Sequence, residues 1–148
     1  MSASSLRRWR VQPAARPLRG AVTVPGGKSL SHRALLLGAL ASGTGTFRGL
    51  SGGADVAATR RMLEALGVVV CDEDGAVRVE GVGLEGLRAP KGPLDCGNAG
   101  TAMRLAAGVL VAQSFDTVLT GDASLSGRPM ARVTRPLRQR GARIEGVI

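Results

Sequence analysis

The chain has 148 residues, of which 44% are hydrophobic, so it can form one modest globular domain with its own core. Aromatic residues make up only 2%, and that core must therefore be built from Val, Leu, Ala and Met. The net charge of +9 suits nucleic acid, an anionic membrane face or small polyanionic substrates. Single-stranded bases usually stack on aromatic side chains, which are scarce here, and no apolar run reaches the roughly 18 residues that span a membrane.

The first part of the chain predicts alternating strands and helices. Residues 9–13 and Ala21–Val24 look like short strands, and a Pro-Gly-Gly turn closes the second. Apolar residues at helical spacing predict a helix over 29–41, which Gly43 ends. The further elements predicted here are a strand over 46–48, a helix over 55–66 that ends at Gly67, and a hairpin of strands 68–71 and 76–80.

After a Gly- and Pro-rich connector over 81–93, the same order of elements begins again. Strands that alternate with helices in this way indicate an α/β fold. The predicted elements are a strand over 94–96, a helix that opens at Gly97 and runs to about Ala112, a strand over 116–120, a helix over 128–140 and the start of a strand over 142–144.

The recurrence has a measurable offset. Arg33 and Arg104 are 71 residues apart, and the helix-ending Gly67 and Gly141 are 74 residues apart. Repeated units of this kind bury their apolar faces against one another. The offsets therefore predict one βαβαββ unit over about 20–82 and most of a second over about 92–148.

The segment from position 25 to Arg33 carries the most specific pattern in the chain. A strand ends in glycines and a helix begins, with Lys28, Ser29 and Arg33 around its first turns. The free N–H groups of a helix start favour a bound anion, Lys adds a mobile charge, and Arg offers a planar fork for oxyanions. The alternative is an ordinary helix in which Ser29 is an N-cap and the charges are solvated.

Two nucleotide-binding motifs are excluded at this point. A phosphate-binding loop that ends in Gly27-Lys28-Ser29 would need its first glycine at position 22, where Val22 stands. The glycine pattern of dinucleotide-binding folds would begin at Gly43 and fails at Arg48. ATP and NAD therefore lose their support as ligands.

Two further segments place polar residues before a predicted helix. Residues 98–104 occupy in the second unit the place that the 28–29 pair occupies in the first. Residues 121–130 form a polar loop with Arg128 at the mouth of a helix and Pro129 suited to its first turn. Both segments are therefore candidates for ligand binding.

Together, the three segments resemble the signature stretches of EPSP synthases, which are P-G-D-K-S-x-S-H-R, G-N-[AS]-G-T and G-D-x-S-L-x-x-R-P-M. All three occur in the family's order, and the resemblance runs from about Arg10 to the last residue. It implies an inside-out α/β barrel of two lobes, each built from three βαβαββ units. In that fold, residues 1–19 with their short strand would contribute to the other lobe, and residues 20–148 would form an incomplete lobe.

The resemblance also implies a reaction and a set of site residues. The family transfers the enolpyruvyl group of phosphoenolpyruvate to the 5-hydroxyl of shikimate 3-phosphate, without metal or organic cofactor. By match, Lys28 is the candidate catalytic residue and contacts both substrates. Ser29 and Arg33 resemble ligands of shikimate 3-phosphate. Gly100 and Arg128 resemble ligands of phosphoenolpyruvate. Converging cations suit two polyanionic substrates and can stabilise the charge that shifts during the reaction.

Four more residues bear on that match. Asn98 and Thr101 are weaker candidates beside the phosphoenolpyruvate ligands. Gly27 replaces the aspartate of the first motif. His32, the chain's single histidine, is expected to be a structural or surface residue rather than a general base.

The resemblance leads to several expectations for the whole protein. The family's remaining ligands, its acid/base carboxylates and its second lobe would lie beyond Ile148, so we expect the chain alone to be inactive. We also expect a cytoplasmic protein, monomeric at full length, that binds the two substrates and neither nucleic acid nor membrane.

One alternative is the related UDP-N-acetylglucosamine enolpyruvyl transferase, which has a reactive loop cysteine. Cys71 and Cys96 fit no such loop and are expected to be buried thiols. The other alternative is a basic nucleic-acid-binding module, which rests on charge alone.

Overall fold

The structure is a computed structural model that describes residues 10–146. Within this range helices alternate with strands, and the predicted α/β class is confirmed. The strands form one antiparallel sheet of three and one parallel pair. The helices are α1 (Lys28–Leu40), α2 (Ala54–Ala65), α3 (Gly100–Leu110), α4 (Ala123–Ser126) and α5 (Ala131–Gln139), and the strands are β1 (Ser42–Arg48), β2 (Val69–Glu73), β3 (Ala76–Val82), β4 (Leu94–Asp95) and β5 (Leu119–Thr120).

β3 is the central strand of the three-stranded sheet, with β1 on one side and β2 on the other. The β2–β3 hairpin confirms the predicted one, and Glu73 faces Ala76 across a two-residue turn. Asp74 and Gly75 have φ values of 49° and 69°, the left-handed pair that a tight turn between right-twisted strands requires. β1 begins at Ser42, earlier than predicted, because its backbone pairing with β3 continues through positions without apolar side chains.

The main core lies between this sheet and helices α1 to α3. Leu35 and Leu63 are each 1% exposed, and Val79 of the central strand is fully buried. Burying one such side chain contributes about 1.5–3 kcal/mol. α1 approaches the sheet closely at Gly38, where an added Cβ would lie 2.8 Å from the ring of Phe47. No helix within residues 10–146 is long and apolar enough to cross a membrane.

Two glycines end helices in the same way. Gly67 after α2 and Gly141 after α5 have φ values of 89° and 95°. In both cases the residue after the glycine donates its N–H back to a carbonyl of the helix, at 3.0 and 3.1 Å. The predicted role of both glycines as helix ends is confirmed. Their shared geometry supports the repeat, whose boundaries stay a prediction.

Three predicted strands are not formed in the described residues. Ala21–Val24 is unpaired, and Val22 and Val24 are 87% and 73% exposed. Residues 142–144 are likewise unpaired. The first residue of the strand predicted over 9–13 lies outside the described range, and the rest pairs with no strand. A strand is stabilised by the neighbour to which it bonds, and none of the described strands lies beside these segments.

The helix predicted over 128–140 is confirmed as α5, which begins at Ala131 instead, and the short helix α4 before it was not predicted. Asp122 caps α4, since its carboxylate accepts the N–H of Leu125 at 2.7 Å. α5 begins after Pro129, which therefore precedes the helix rather than lying in its first turn. Arg128 consequently lies in the short link between α4 and α5.

Candidate functional site

The start of α1 is built on a close backbone contact between Gly26 and Gly49. A Cβ on Gly26 would lie 1.8 Å from the Gly49 carbonyl oxygen, so no side chain fits there. Gly27 is the N-cap and has no side chain to bond to the first-turn N–H groups, which a helix start leaves without intrahelical partners. The alternative in which Ser29 caps the helix is wrong, because Ser29 already lies within α1.

Two side-chain contacts join α1 to α2. Lys28 Nζ lies 2.7 Å from Asp55 Oδ2. One turn further along both helices, His32 Nδ1 lies 2.7 Å from Thr59 Oγ1. We call these four residues the α1–α2 ladder. Its two rungs differ in exposure, since the Lys28 and Asp55 side chains are 55% and 28% exposed, whereas the second pair is fully buried.

His32 is a structural residue of this ladder rather than a surface one. Burial lowers the pKa of His32, although the nearby Asp55 carboxylate acts in the opposite direction. Lys28 lowers this pKa further. The Nε2 atom of His32 has no hydrogen-bond partner among the described residues, so a second ring proton would be buried without an acceptor. The neutral, buried ring has no access to a substrate proton, which agrees with the expectation that it is not a general base.

Ser29 and Arg33 lie on the exposed side of α1. Neither side chain bonds to another residue within 10–146. Ser31 between them is buried and anchors the helix start, since its Oγ donates to the Gly27 carbonyl at 3.0 Å and accepts the N–H of Ser51 at 2.9 Å. The start of α1 is therefore held in place while Ser29 and Arg33 stay available for a ligand.

Gly100 begins α3 beneath two guanidinium groups. A Cβ at this position would lie 2.5 Å from Arg104 Nη1 and 3.3 Å from Arg128 Nη1. Arg104 Nη2 also donates to the carbonyl of Pro129, at 3.1 Å. Neither arginine forms an ion pair within residues 10–146. Two guanidinium groups that no carboxylate pairs directly, at a helix start, favour a bound oxyanion.

Arg128 is held by Asn98. Its Nη2 donates to Asn98 Oδ1 and, at 3.2 Å, to Ser124 Oγ. Asn98 Nδ2 in turn donates to Asp122 Oδ2 at 2.7 Å. The N–H of Leu125 and then the Asn98 amide lower the pKa of Asp122, so this carboxylate is charged. The chain of contacts from Asp122 through Asn98 fixes the direction of the Arg128 guanidinium.

The predicted site residues form two groups, which we call the α1 group (Lys28, Ser29 and Arg33) and the α3 group (Gly100 and Arg128). No side-chain hydrogen bond or ion pair within the described part of the chain links the two groups. They are connected through α2, where Asp55 contacts the α1 group. Ala58, on the next turn of α2, packs in one buried cluster with Ala99 and Ala102 at the start of α3.

The sequence alone did not assign Asp55, Arg104 or Asp122 to the site. In the sequence, Asp55 is only an acidic residue in the first turn of a helix, where carboxylates are common. Arg104 had a signal, because it lies one helical turn after Gly100 and matches Arg33 in the repeat. Asp122 lies in the third motif and directly before a helix, where aspartate is a preferred N-cap.

The cysteines differ in burial. Cys96 is buried as expected, whereas Cys71 is only half-buried, so that expectation is wrong for Cys71 because β2 leaves this side chain partly open to solvent. Burial raises the pKa of Cys96 to about 11, which keeps its thiol protonated. Within residues 10–146, no cluster of His, Cys, Asp and Glu side chains is suited to a metal ion.

The fold and the site together define an α/β protein that presents cationic side chains at the starts of two helices. Residues 13–147 match the family model of EPSP synthase (3-phosphoshikimate 1-carboxyvinyltransferase). The chain belongs to the EPSP synthase family.

Individual relatives agree with this assignment. The 3-phosphoshikimate 1-carboxyvinyltransferase of Halorhodospira halophila is 59% identical over 137 residues, which are 92% of this chain and 31% of the relative. That of Alkalilimnicola ehrlichii is 60% identical over 129 residues, which are 86% of this chain and 29% of the relative. The solved structure of EPSP synthase from Acinetobacter baumannii superimposes with a TM-score of 0.82 at 48% identity, over 87% of this chain and 30% of that one. The chain thus spans less than a third of the length of these relatives.

Proposed function

We propose that this chain supplies substrate-binding residues to an enzyme that transfers the enolpyruvyl group of phosphoenolpyruvate to the 5-hydroxyl of shikimate 3-phosphate, with release of phosphate. The observation that carries the proposal is the placement of two guanidinium groups over Gly100, in a chain of the EPSP synthase family. Relatives with more than half of their aligned residues identical are named 3-phosphoshikimate 1-carboxyvinyltransferase, which supports this reaction.

The α3 group is the proposed site for phosphoenolpyruvate. Because Gly100 has no side chain, a phosphate or carboxylate can approach the start of α3. Arg128 would bond to it with a guanidinium that Asn98 already orients, so little side-chain freedom is lost on binding. Arg104 adds a second positive charge at the same point. The proposed ligand is therefore a small molecule with two anionic groups, a phosphate and a carboxylate.

The α1 group is the proposed site for shikimate 3-phosphate. Ser29 offers a hydroxyl and Arg33 a planar guanidinium, both are exposed, and neither forms a side-chain hydrogen bond or ion pair within the described residues. Lys28 is the proposed catalytic residue that contacts both substrates. Its ammonium would stabilise the charge that shifts when a tetrahedral adduct forms and collapses. The proposal includes no metal and no organic cofactor.

The same proposal covers the setting of the site. We propose a first βαβαββ unit over about 20–82, of which the described residues form all but the first strand, and part of a second over about 92–148, within a lobe of an inside-out α/β barrel, with residues 1–19 in the other lobe. We propose a cytoplasmic enzyme, monomeric at full length, that does not act on nucleic acid. The related transferase with a reactive loop cysteine is disfavoured, because the Cys96 thiol is buried and protonated and Cys71 lies within strand β2.

A hybrid enzyme tests the proposed reaction. Residues 13–147 would replace the matching part of the Acinetobacter baumannii EPSP synthase, and phosphate release would be measured with both substrates. We expect turnover that falls by orders of magnitude in Lys28→Ala, because a charge between two polyanions is removed. Lys28→Arg should also be poor, since a planar guanidinium does not replace a compact ammonium. Lys91→Ala, at the chain's other lysine, is the matched control and should keep full turnover. A folded hybrid without turnover, or an active Lys28→Ala hybrid, would contradict the proposal.

A further inference from the structure

Lys28 is paired with a carboxylate from a different helix. Its ammonium lies 2.7 Å from Asp55 Oδ2, across the α1–α2 interface. Within residues 10–146 no other side chain bonds to Lys28, and Gly27 beside it has no side chain to offer. Asp55 is therefore the one described group that determines where this ammonium lies.

A buried contact supports the pair of Lys28 and Asp55. His32 and Thr59, one turn further along α1 and α2, are fully buried and joined by a 2.7 Å hydrogen bond. Sliding or rotating one helix against the other would break this bond and leave buried polar atoms without partners, which is costly. Because the two rungs are one turn apart on both helices, the buried rung also fixes the separation between Lys28 and Asp55.

Asp55 has properties that suit a positioning role. It lies in the first turn of α2, where the positive end of the helix favours a carboxylate. Its side chain is 28% exposed, so it is shielded from solvent more than a typical surface carboxylate. A lysine ammonium has three donors, and one directed at Asp55 leaves two for ligand oxygens. The contact also restrains a long side chain that would otherwise sample many rotamers.

We propose that Asp55 is a positioning residue for Lys28, an inference that deepens the proposed function and rests on it. The carboxylate holds the ammonium at the start of α1, where the two anionic substrates would meet. The buried pair of His32 and Thr59 maintains that geometry before any ligand arrives.

The chain allows a direct test because Lys28 and Lys91 are its two lysines. The complete chain would be acetylated with an amine-directed reagent, and the rates at both lysines would be followed by mass spectrometry. Lys91 is exposed and serves as the internal reference. We expect Lys28 to react more slowly than Lys91 in the wild type, and the ratio of the two rates to rise about two- to fivefold in Asp55→Asn, the range for a partly exposed ion pair. Asp55→Glu should restore the low ratio. Asp72→Asn, which removes a carboxylate paired with Arg60, should leave it unchanged.

The same assay on the hybrid enzyme, with shikimate 3-phosphate and phosphoenolpyruvate, separates the inference from the proposed function. Both ligands should protect Lys28 in the hybrid, and the hybrid with Asp55→Asn should need about two- to fivefold more ligand for half-protection. An unchanged ratio together with equal protection in both proteins would overturn the role of Asp55 and leave the proposed function standing. Absence of protection in both proteins would overturn the proposed function, and the proposal that Asp55 positions Lys28 for substrates would fall with it. Circular dichroism spectra of the variants show whether each keeps the fold.

Discussion

Asn98 and Asp122 are joined by a hydrogen bond of 2.7 Å between the side-chain amide nitrogen and one carboxylate oxygen. The other carboxylate oxygen accepts the N–H of Leu125 and so caps α4. One aspartate thus stabilises a short helix and, through Asn98, orients the Arg128 guanidinium. The two functions can be separated by substitution, because an amide can keep one of these contacts and not both.

Asp122→Asn should retain the cap and lose the acceptor for Asn98. We expect a several-fold rise in the KM for phosphoenolpyruvate in the hybrid enzyme, because Arg128 loses its orientation, and little change in thermal stability. Asp122→Ala removes both contacts and should also lower the melting temperature. Asp116→Asn makes the same charge change at an exposed position and is the control. An equal rise in KM for Asp116→Asn would show that net charge, and not the Asn98 contact, is responsible.

Gly100→Ala tests whether the missing side chain leaves room for a ligand. The added methyl would meet the movable ends of two arginines rather than backbone, so we expect a nearly unchanged melting temperature. Crowding of the ligand should cost about 1–3 kcal/mol of phosphoenolpyruvate binding. Gly108→Ala, on the same helix with open space around it, should raise stability by up to about 1 kcal/mol and leave binding unchanged. If Gly100→Ala lowered the melting temperature and affected both substrates alike, Gly100 would serve helix packing.

Serine substitutions at Gly26 and Gly27 should have opposite effects. At position 26 the new Cβ would overlap the Gly49 carbonyl oxygen, and the backbone must shift at a cost of about 1–3 kcal/mol. At position 27 the nearest atom, in Leu30, would lie 3.7 Å away, and the serine hydroxyl can cap α1. Urea unfolding of both variants measures the difference. Equal stabilities would mean that the contact between Gly26 and Gly49 is not required.

His32 should make stability fall as the solution becomes acidic. Its pKa is lowered in the folded state, so below the ordinary value of 6.5 the unfolded chain binds a proton that the folded chain does not. The free energy of unfolding should therefore decrease from about pH 7 downward, by at most about 1.4 kcal/mol per pH unit. Denaturant titrations from pH 7.5 to 5 measure this slope. His32→Gln should be less stable at pH 7.5 and lack the slope, and a retained slope would assign it to another group.

The two cysteines should react at different rates with iodoacetamide at pH 8. Cys71 is half-buried, whereas Cys96 is 1% exposed and has a pKa of about 11. Only about one Cys96 thiol in a thousand is then the reactive thiolate, and burial restricts access further. Mass spectrometry should find Cys71 labelled first and Cys96 labelled only in denaturant. Rapid labelling of both in native buffer would contradict the burial of Cys96.

The sequence predicted those parts of the fold that depend on neighbouring residues. Asp74-Gly75 specifies its turn locally, and Gly67 and Gly141 end helices because they adopt a left-handed backbone conformation. The strand predicted over 21–24 was wrong because a strand depends on a partner that its own residues do not encode. The site residues divide in the same way, into those that a local motif predicts and those that only tertiary packing brings together. Gly100 and Arg128 lie in short motifs, whereas the contact between Lys28 and Asp55 exists only because α1 packs on α2.

The buried alanine cluster of α2 and α3 has a consequence for engineering. Ala58, Ala99 and Ala102 each contribute one methyl group at the point where the two helices meet, and each is at most 2% exposed. These small side chains set how closely α2 and α3 pack, and they therefore also set the distance between the α1 and α3 groups. Valine at position 58 would push α3 outward and increase this distance, and glycine would let the helices approach. To enlarge the space between the two proposed substrate sites, one would therefore substitute these three alanines before any residue that contacts a ligand.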